Sequence, residues 1–425
     1  MPATELEDPD RFAGRERQVR LLADSLHSFG STPLIFGDRG LGKSSLAAQL
    51  QLIAMGNSDL LVNLNAERLA LEEHETFLCF NFTCTDTTET HSDLLQAMIN
   101  LAESVELDQT TGANRLVSRV SKKGITGKIF NIESTKTFAT EAQRLSYQDL
   151  NHEEKLLQLC DILTRTYNMP VLFIIDELDR MKDTAGLASF LKAHSTANLK
   201  FVLVGIASTI SDLITDHKSM DRKLAPVHVK TMTPSELRQI IDKAQAYLKD
   251  KGFDYTFTPD AIRVLISVAA GFPWFVHVLG QECLQAAEDA GTSTITDRDV
   301  RKAVTNIITN LKAQQYEDKY RRAVQDSVMR EKVLRTMAEW TDQDVPTGEI
   351  YSLLKNHLGV NNGSVYRGHL IKDDYGSVLY DPKVSKRGLV RFTDEMFKAY
   401  VRMRPSIYEG VKMEVKNAYT MRELI

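Results

Sequence analysis

The spacing of hydrophobic and polar positions changes once along this chain. From about residue 15 to residue 230, short apolar runs suited to strands alternate with segments that have the 3.6-residue period of amphipathic helices. This alternation is typical of a parallel sheet covered by helices on both faces. The predicted strands are 32–36, 76–82, 170–176, 199–205 and 226–232. The pattern therefore predicts an α/β domain over residues 1–232.

One long segment interrupts this half of the chain. Residues 107–146 are rich in Thr, Ser, Gly and Lys and have no sustained period. Such a composition predicts an irregular insertion, with a candidate hairpin at 127–134.

The second half has an almost purely helical period. Thr233, Pro234 and Glu236 form the signature of a helix N-terminus, and a second cap signature lies at 296–300. The apolar positions keep the helical spacing to about residue 322. We therefore predict an all-α domain over residues 233–322.

The C-terminal segment combines helices with two short strands. The predicted elements are, in order, a charged helix at 313–334, helices around 348–358 and 363–373, and strands at 377–382 and 388–392. Three helices followed by a β-hairpin is the order of a winged helix, predicted here for 323–405. The tail at 406–425 has apolar residues at helical spacing, which would suit docking on its own chain or on a partner.

Composition limits the classes of function. The 425 residues are 43% hydrophobic and carry a formal net charge of −5, so a nucleic-acid surface would have to be a local patch. The four cysteines lack the spacing of a zinc site and are predicted to be buried and structural. The N-terminus lacks the apolar core of a signal peptide, and the most apolar stretch, 264–279, is too interrupted to span a bilayer. We expect a cytoplasmic protein with no membrane association.

Residues 37–45 carry the most specific chemical motif. Their first eight residues match G-x-x-x-x-G-K-[ST] at each fixed position. Glycines let the loop turn its N–H groups inward, Lys43 would place its charge on the β- and γ-phosphates, and the Ser44 hydroxyl would hold Mg²⁺. The predicted ligands of ATP or ADP are Gly37, Asp38, Arg39, Gly40, Leu41, Gly42, Lys43, Ser44 and Ser45.

A second motif supplies carboxylates at the end of a strand. In "VLFIIDELDR", Asp176 would hold Mg²⁺ and Glu177 would orient and deprotonate the attacking water. Asp179 is more typical of a structural cap. At the end of the next apolar strand, Ser208, or Thr209 in its place, would sense the γ-phosphate; a serine there would also suit a helix cap.

These motifs together resemble P-loop ATPases of the AAA+ and STAND type, nearest to the origin-recognition-like and archaeal-type ATPases. The resemblance covers residues 10–310. It rests on "FAGRERQVRLL", "GDRGLGKSS", "FIIDELD", "HKSMDRKL" and "GFPWFVHVLG". It implies Mg²⁺-dependent ATP hydrolysis on an ASCE/AAA+-like parallel sheet core, with an α-helical lid and a C-terminal winged helix.

Several residues acquire a role only through this resemblance. Phe12, Gly14 and Arg15 would lie by the adenine, although the same residues would suit an ordinary charged helix start. Arg222 would offer an arginine finger to a neighbouring subunit, which implies a homo-oligomer on ATP binding; the alternative is a surface arginine. The Gly-Phe-Pro sequence ending at Pro273 resembles the STAND element whose proline packs near the nucleotide. That element favours a nucleotide-gated switch over a processive motor.

Two functions fit this sequence. Residues 331–425 contain 15 Lys and Arg against 13 Asp and Glu, a weak positive bias. The basic residues that a DNA-binding wing would use are Lys383, Lys386, Arg387 and Arg391. In one interpretation, the ATPase assembles on duplex DNA through this wing. In the other, its nucleotide state controls a separate protein effector without direct DNA binding.

Overall fold

The computed structural model describes residues 8–28, 30–104, 149–207, 209–214, 222–309, 314–382 and 388–423. The chain divides near residue 230 into two units, each with its own core. Each unit is described by itself. The predicted insertion at 107–146 and its candidate hairpin at 127–134 lie outside the described residues.

A parallel sheet forms the centre of the first unit. Its strands are β1 (Thr32–Gly37), β2 (Leu78–Thr83), β3 (Val171–Asp176), β4 (Leu199–Ile206) and β5 (Leu224–His228). They lie in the order β2-β3-β4-β1-β5, and every neighbouring pair is parallel. The predicted α/β fold is therefore confirmed. Because β4 lies between β1 and β3 and all three strands are parallel, the carboxyl ends of β1 and β3 lie on the two sides of the carboxyl end of β4.

The central strands were predictable because they are buried on both faces. All six residues of β1 are buried, as are the first five of β3, so each reads as a continuous apolar run. The edge strand β5 was predicted less well, at 226–232. It starts two residues earlier, where Leu224 and Ala225 pair with β1, because an edge strand lacks the apolar run that marks a central one.

Helices cover the sheet of the first unit. They are Glu16–His27, Lys43–Ala54, Asp59–Asn63, His91–Glu103, His152–Tyr167 and Leu187–His194. Two of them begin with reciprocal capping boxes, Thr90 with Asp93 and Asn151 with Glu154, which satisfy backbone N–H groups at the first turn.

Helices also dominate the second unit. They are Pro234–Asp250, Pro259–Ala269, Pro273–Asp289, Asp297–Thr309, Gln314–Val324, Val328–Glu339, Thr347–Leu358, Gly363–Ile371, Glu395–Met403 and Val411–Glu423. The predicted cap at Thr233 is confirmed, since its hydroxyl accepts a hydrogen bond from the Glu236 N–H at 3.3 Å. The predicted all-α segment also contains a short parallel pair, β6 (Thr256–Phe257) and β7 (Thr294–Ile295), which is too short to show a period of two.

The predicted single helix at 313–334 is wrong: it is two helices, Gln314–Val324 and Val328–Glu339. Gln325 between them adopts a positive φ of 45°. Ser327 then caps the second helix by accepting a hydrogen bond from the Arg330 N–H at 3.2 Å. The apolar period continues across this break and does not reveal it.

A small antiparallel sheet follows the last helices. Its strands are β8 (Val345–Pro346), β9 (Leu379–Tyr380) and β10 (Leu389–Phe392), in the order β8-β10-β9. β8 was not predicted because it has only two residues. The assignment of 323–405 to a winged helix stays a prediction.

The C-terminal tail packs on its own chain. Val411, Val415 and Ala418 on the helix Val411–Glu423 are buried. The Tyr419 hydroxyl donates to the Thr336 carbonyl at 2.6 Å. Of the two docking modes predicted for the tail, the structure contains the intramolecular one.

The prediction that the four cysteines are buried is confirmed. Cys79, Cys84, Cys160 and Cys283 are buried free thiols. Within the described parts of the chain, no helix combines the length and the apolar character needed to cross a bilayer.

Candidate active site

The glycine-rich loop connects β1 to the helix Lys43–Ala54. Gly37, Gly40 and Gly42 adopt φ values of 149°, 74° and 86°, which side chains disfavour. Gly42 is the N-cap of the helix and has no side chain to bond the first-turn N–H groups. These donors, with the positive end of the helix dipole, suit an anion.

Gly37 is also confined by its neighbour across the sheet. A Cβ atom there would lie 2.2 Å from the Val229 carbonyl oxygen, far inside van der Waals contact. We therefore expect Gly37→Ala to lower the free energy of unfolding by about 3 kcal/mol, through backbone strain and overpacking. Urea unfolding would measure it.

A matched control for this substitution lies in the helix Pro273–Asp289. A Cβ atom on Gly280 would meet nothing within 4 Å. Gly280→Ala should leave the protein equally stable or more stable, by about 0.5–1 kcal/mol. Equal losses in both variants would contradict the close approach of Gly37 to Val229.

Lys43 points its charge into the loop. The side chain is only 8% exposed, and Nζ donates to the Asp38 carbonyl at 2.8 Å. Burial lowers the pKa of Lys43, while the charges of Asp176, Asp179 and Asp38 raise it. The lysine and the carboxylate at the end of β3 therefore share one electrostatic environment.

The segment before the first helix contacts the loop directly. Arg15 is 5% exposed, and its Nη2 donates to the Leu41 carbonyl at 3.0 Å. Phe12 is also buried, and both Gly14 and Arg15 have a positive φ. This contact was not predicted. The predicted position of the segment beside an adenine stays a prediction.

The two predicted catalytic carboxylates lie where β3 ends. Asp176 is the last residue of β3, and its Oδ1 accepts a hydrogen bond from the Glu177 N–H at 2.7 Å. Glu177 adopts a left-handed conformation with φ 54°, which is uncommon for a residue with a side chain. Such strain is frequent at functional sites.

The Glu177 carboxylate is held by a chain of charges that sequence reasoning missed. Arg180 Nε bonds Glu177 Oε2, and Arg180 Nη1 lies 2.9 Å from Asp86 Oδ1. These hydrogen bonds raise the pKa of Arg180. Asp86 follows β2, and nothing in the sequence marks it. In this arrangement a carboxylate oxygen of Glu177 is occupied by Arg180.

Asp179 has a structural contact, but it does not cap a helix as predicted: it lies inside the short turn Leu178–Arg180, whose N-cap is Glu177. Asp179 Oδ1 accepts a hydrogen bond from the Ile206 N–H at 2.7 Å, which ties the turn after β3 to the end of β4. Ser208 lies outside the described residues. The Thr209 N–H donates to Asp212 Oδ2 at 2.8 Å in the cap of a short turn.

His228 is a further residue near the loop that was not predicted. It ends β5, and its ring stacks on Phe36, the residue before Gly37, with a centroid distance of 4.8 Å. Burial and the charge of Lys230 lower the pKa of His228, while Asp38 raises it. Only the pairing of β5 with β1 brings His228 to this position.

The other predicted site residues are not brought to the loop by the first unit. Arg222 is exposed in the turn before β5. Pro273 belongs to the second unit, where it begins the helix Pro273–Asp289. Their roles stay predictions.

The basic residues predicted to touch DNA fall into two groups. Lys383, Lys386 and Arg387 lie outside the described residues. Arg391 Nε bonds Asp344 Oδ1, and this hydrogen bond raises the pKa of Arg391. Arg391 is thus engaged in an ion pair within its own module.

One known protein family matches more than half of this chain. Residues 3–273 match the family model described as "Novel STAND NTPase 1", a region that contains the glycine-rich loop and both carboxylates. No curated protein matches the sequence.

Several solved structures are similar to this chain over nearly its whole length. The ORC1 protein of Aeropyrum pernix, solved in complex with DNA, is 16% identical, with 97% of this chain and 95% of that chain covered and a TM-score of 0.42. Cdc6p of Pyrobaculum aerophilum is 11% identical, with 96% and 94% covered and a TM-score of 0.43. The RuvB Holliday junction branch migration motor of Thermotoga maritima is 14% identical, with 93% and 97% covered and a TM-score of 0.42.

Proposed function

The chain belongs to the Novel STAND NTPase 1 family, and from that premise we propose that it hydrolyses ATP with Mg²⁺ and acts as a nucleotide-gated switch. One observation carries the proposal. The glycine-rich loop with Lys43 follows β1, and Asp176 and Glu177 end β3, on the two sides of β4. The glycine-rich loop and the two carboxylates therefore lie at the same end of the sheet, where the strands have their carboxyl ends.

The residues of this edge fit a nucleotide and its metal ion. Loop N–H groups and the Lys43 ammonium would hold the phosphates. Ser44 and Asp176 offer the oxygen ligands that Mg²⁺ prefers. Over the described ranges, no cluster of three or more metal-binding side chains occurs, so phosphate oxygens and water would complete the coordination. The ion would neutralise charge on the phosphates.

Glu177 is the base in this proposal. Its carboxylate would accept a proton from the attacking water and so aim the oxygen at the γ-phosphate. The hydrogen bond from Arg180 competes for the same carboxylate. In this proposal, ATP turnover therefore requires the hydrogen bond between Arg180 and the Glu177 carboxylate to break.

We expect Arg180→Ala to raise basal ATP turnover by roughly two- to fivefold. The gain is small because both partners are about 40% exposed, with side-chain exposures of 43% and 41%, and surface ion pairs are weak. Lys182→Ala is the matched control, since Lys182 pairs with Glu89 in the same turn. Steady-state phosphate release measures both variants, and lower turnover in Arg180→Ala would contradict a restraining role.

The output of the switch is proposed to be a protein effector. In this proposal a separate protein partner responds to the nucleotide state of the chain. Two cations beside the predicted wing are neutralised within the module, Arg391 by Asp344 and Arg367 by Asp381. This pairing disfavours them as phosphate contacts.

Engagement of duplex DNA is the second candidate output. It is supported by the order of three helices followed by the antiparallel strands β9 and β10, which is typical of a winged helix. Its basic contacts would be Lys383, Lys386 and Arg387.

Mass measurement by light scattering, with ATP, ADP or neither, tests the switch. We expect ATP alone to raise the mass, because Arg222 would bind the γ-phosphate of a neighbouring subunit. Arg222→Ala should then stay at the mass of the ADP form. Equal masses in all three conditions would contradict a switch that works by assembly.

The same experiment with linear duplex DNA separates the two outputs. If the output is a protein effector, we expect DNA to change neither the mass nor the ATP turnover. A rise in turnover that is abolished by charge reversal at Lys386 and Arg387, and that weakens with salt, would establish the second candidate instead.

A further inference from the structure

The second unit contains a large cavity far along the chain from the glycine-rich loop. It has a volume of about 970 Å³. The helices Pro259–Ala269 and Asp297–Thr309 form one wall, and residues 402–416 form much of the other. The volume is in the range of sites that bind small organic molecules.

The charged side chains of this cavity leave an excess of positive charge. Five are basic and three are acidic. The three arginines each pair with an acid, Arg263 with Asp260, Arg301 with Asp297 and Arg402 with Glu339. The two lysines, Lys412 and Lys416, supply the excess.

Lys412 is in an environment unfavourable to its own charge. Burial, followed by the charges of Arg335, Lys416 and Arg301, lowers the pKa of Lys412 to about 7, and only Glu339 opposes this shift. Nζ donates to the carbonyls of Met403 at 2.8 Å and Arg404 at 3.2 Å. These bonds use two of the three donors of an ammonium group and cap the helix Glu395–Met403.

The cap alone does not account for the site. It leaves unexplained why a second lysine, Lys416, lines the same cavity. An anion between the two lysines would relieve their mutual repulsion, and charge-assisted hydrogen bonds to phosphate are among the strongest in proteins.

The uncharged lining mixes polar side chains, Ser267, Thr305 and Ser406, with apolar ones. The apolar ones include Val264, Val268, Val304 and Met413, and Met413 is 63% exposed. Methionine side chains are flexible and adapt their shape to apolar ligands. The cavity therefore combines two lysines with apolar side chains.

We propose that this cavity binds a small organic phosphate, with the phosphate dianion between Lys412 and Lys416 and the organic part against the valines and Met413. The site is separate from the nucleotide site of the first unit and goes beyond the proposed ATPase. Its walls come from helices on both sides of residues 314–382 along the chain, with Glu339 contributed from within that range.

Pyridoxal 5′-phosphate is a direct probe, because it is an organic phosphate whose aldehyde condenses with an unprotonated amine, with loss of water. The full chain is treated at pH 7, the imine is reduced with borohydride, and labelled peptides are mapped by mass. We expect labelling of Lys412 or Lys416 at roughly tenfold lower reagent concentration than for the exposed Lys355. Mapping separates these sites from Lys43.

Three comparisons test phosphate recognition. Pyridoxal, which lacks the phosphate, should label the cavity at least about tenfold less efficiently. Inorganic pyrophosphate should protect it, and citrate should protect it less. Equal labelling by the two aldehydes would overturn the proposal, and equal protection by citrate would overturn the assignment to phosphate.

Lys416→Met provides an independent variant, because Lys416 is exposed on the last helix and its loss should not affect folding. The pyrophosphate concentration that protects Lys412 should rise roughly tenfold. Lys355→Met is the matched control and should leave protection unchanged. If protection is also unchanged in Lys416→Met, the cavity is not a phosphate site. None of these measurements depends on ATP hydrolysis, so the proposed ATPase stands or falls separately.

Discussion

Glu177→Gln is expected to lower ATP turnover by at least about a hundredfold while ATP stays bound, because an amide cannot accept the proton of the attacking water. The glycine-rich loop is untouched by this change, since Glu177 lies directly after β3. Phosphate release and the nucleotide retained through gel filtration measure the two effects.

Asp179→Asn is the matched control for Glu177→Gln. Both changes turn a carboxylate into an amide in the same turn. The amide oxygen of asparagine can still accept the hydrogen bond from the Ile206 N–H. Its turnover should stay within about threefold of the unmodified protein. Full activity in Glu177→Gln would remove this residue as the base.

Lys43→Ala is expected to weaken ATP binding by at least about a hundredfold. Lys43 is the buried cation of the loop, and its charge-assisted bonds to phosphate oxygens would be lost with it. The free energy of unfolding without nucleotide should not fall along with the affinity for ATP. Burial lowers the pKa of Lys43, which means that the folded loop disfavours the charge it holds. Calorimetry with ATP, and thermal unfolding without nucleotide, measure the two quantities.

Arg39→Ala is the control for the loop itself. The Arg39 side chain is exposed. Its removal leaves the backbone N–H of residue 39 in place for a phosphate. Binding should change little. If Lys43→Ala binds ATP as well as Arg39→Ala does, the loop does not act through its lysine.

The residues of the candidate site could be picked out from the sequence because they form short local motifs. The glycines, Lys43 and Ser44 are contiguous, and Asp176 and Glu177 follow an apolar run. In both motifs, contiguous residues are enough to indicate the backbone conformation and the functional groups. Their positions on the two sides of one strand follow from the strand order of the sheet.

The side-chain contacts around the candidate site were not predictable from the sequence. Asp86 holds Arg180 across 94 positions of sequence, and Arg15 reaches the Leu41 carbonyl across 26. His228 reaches Phe36 only because β5 pairs with β1. Such contacts depend on how strands and turns are placed in three dimensions, which a hydrophobic period does not encode.

The C-terminal half shows the same division. Burial of an apolar face sets the helical period, so most helices were visible in the sequence, and the cap at Thr233 marked one start. The break after Val324 depends on one residue with positive φ, and the pairing of Arg391 with Asp344 depends on the neighbouring strands. The sequence by itself determined the α/β core, the phosphate loop and the two carboxylates, because each is specified by short-range patterns. Only the tertiary structure decided which charges are neutralised, which carboxylate is restrained and where cations gather around a cavity, because those depend on distances between residues far apart in the chain.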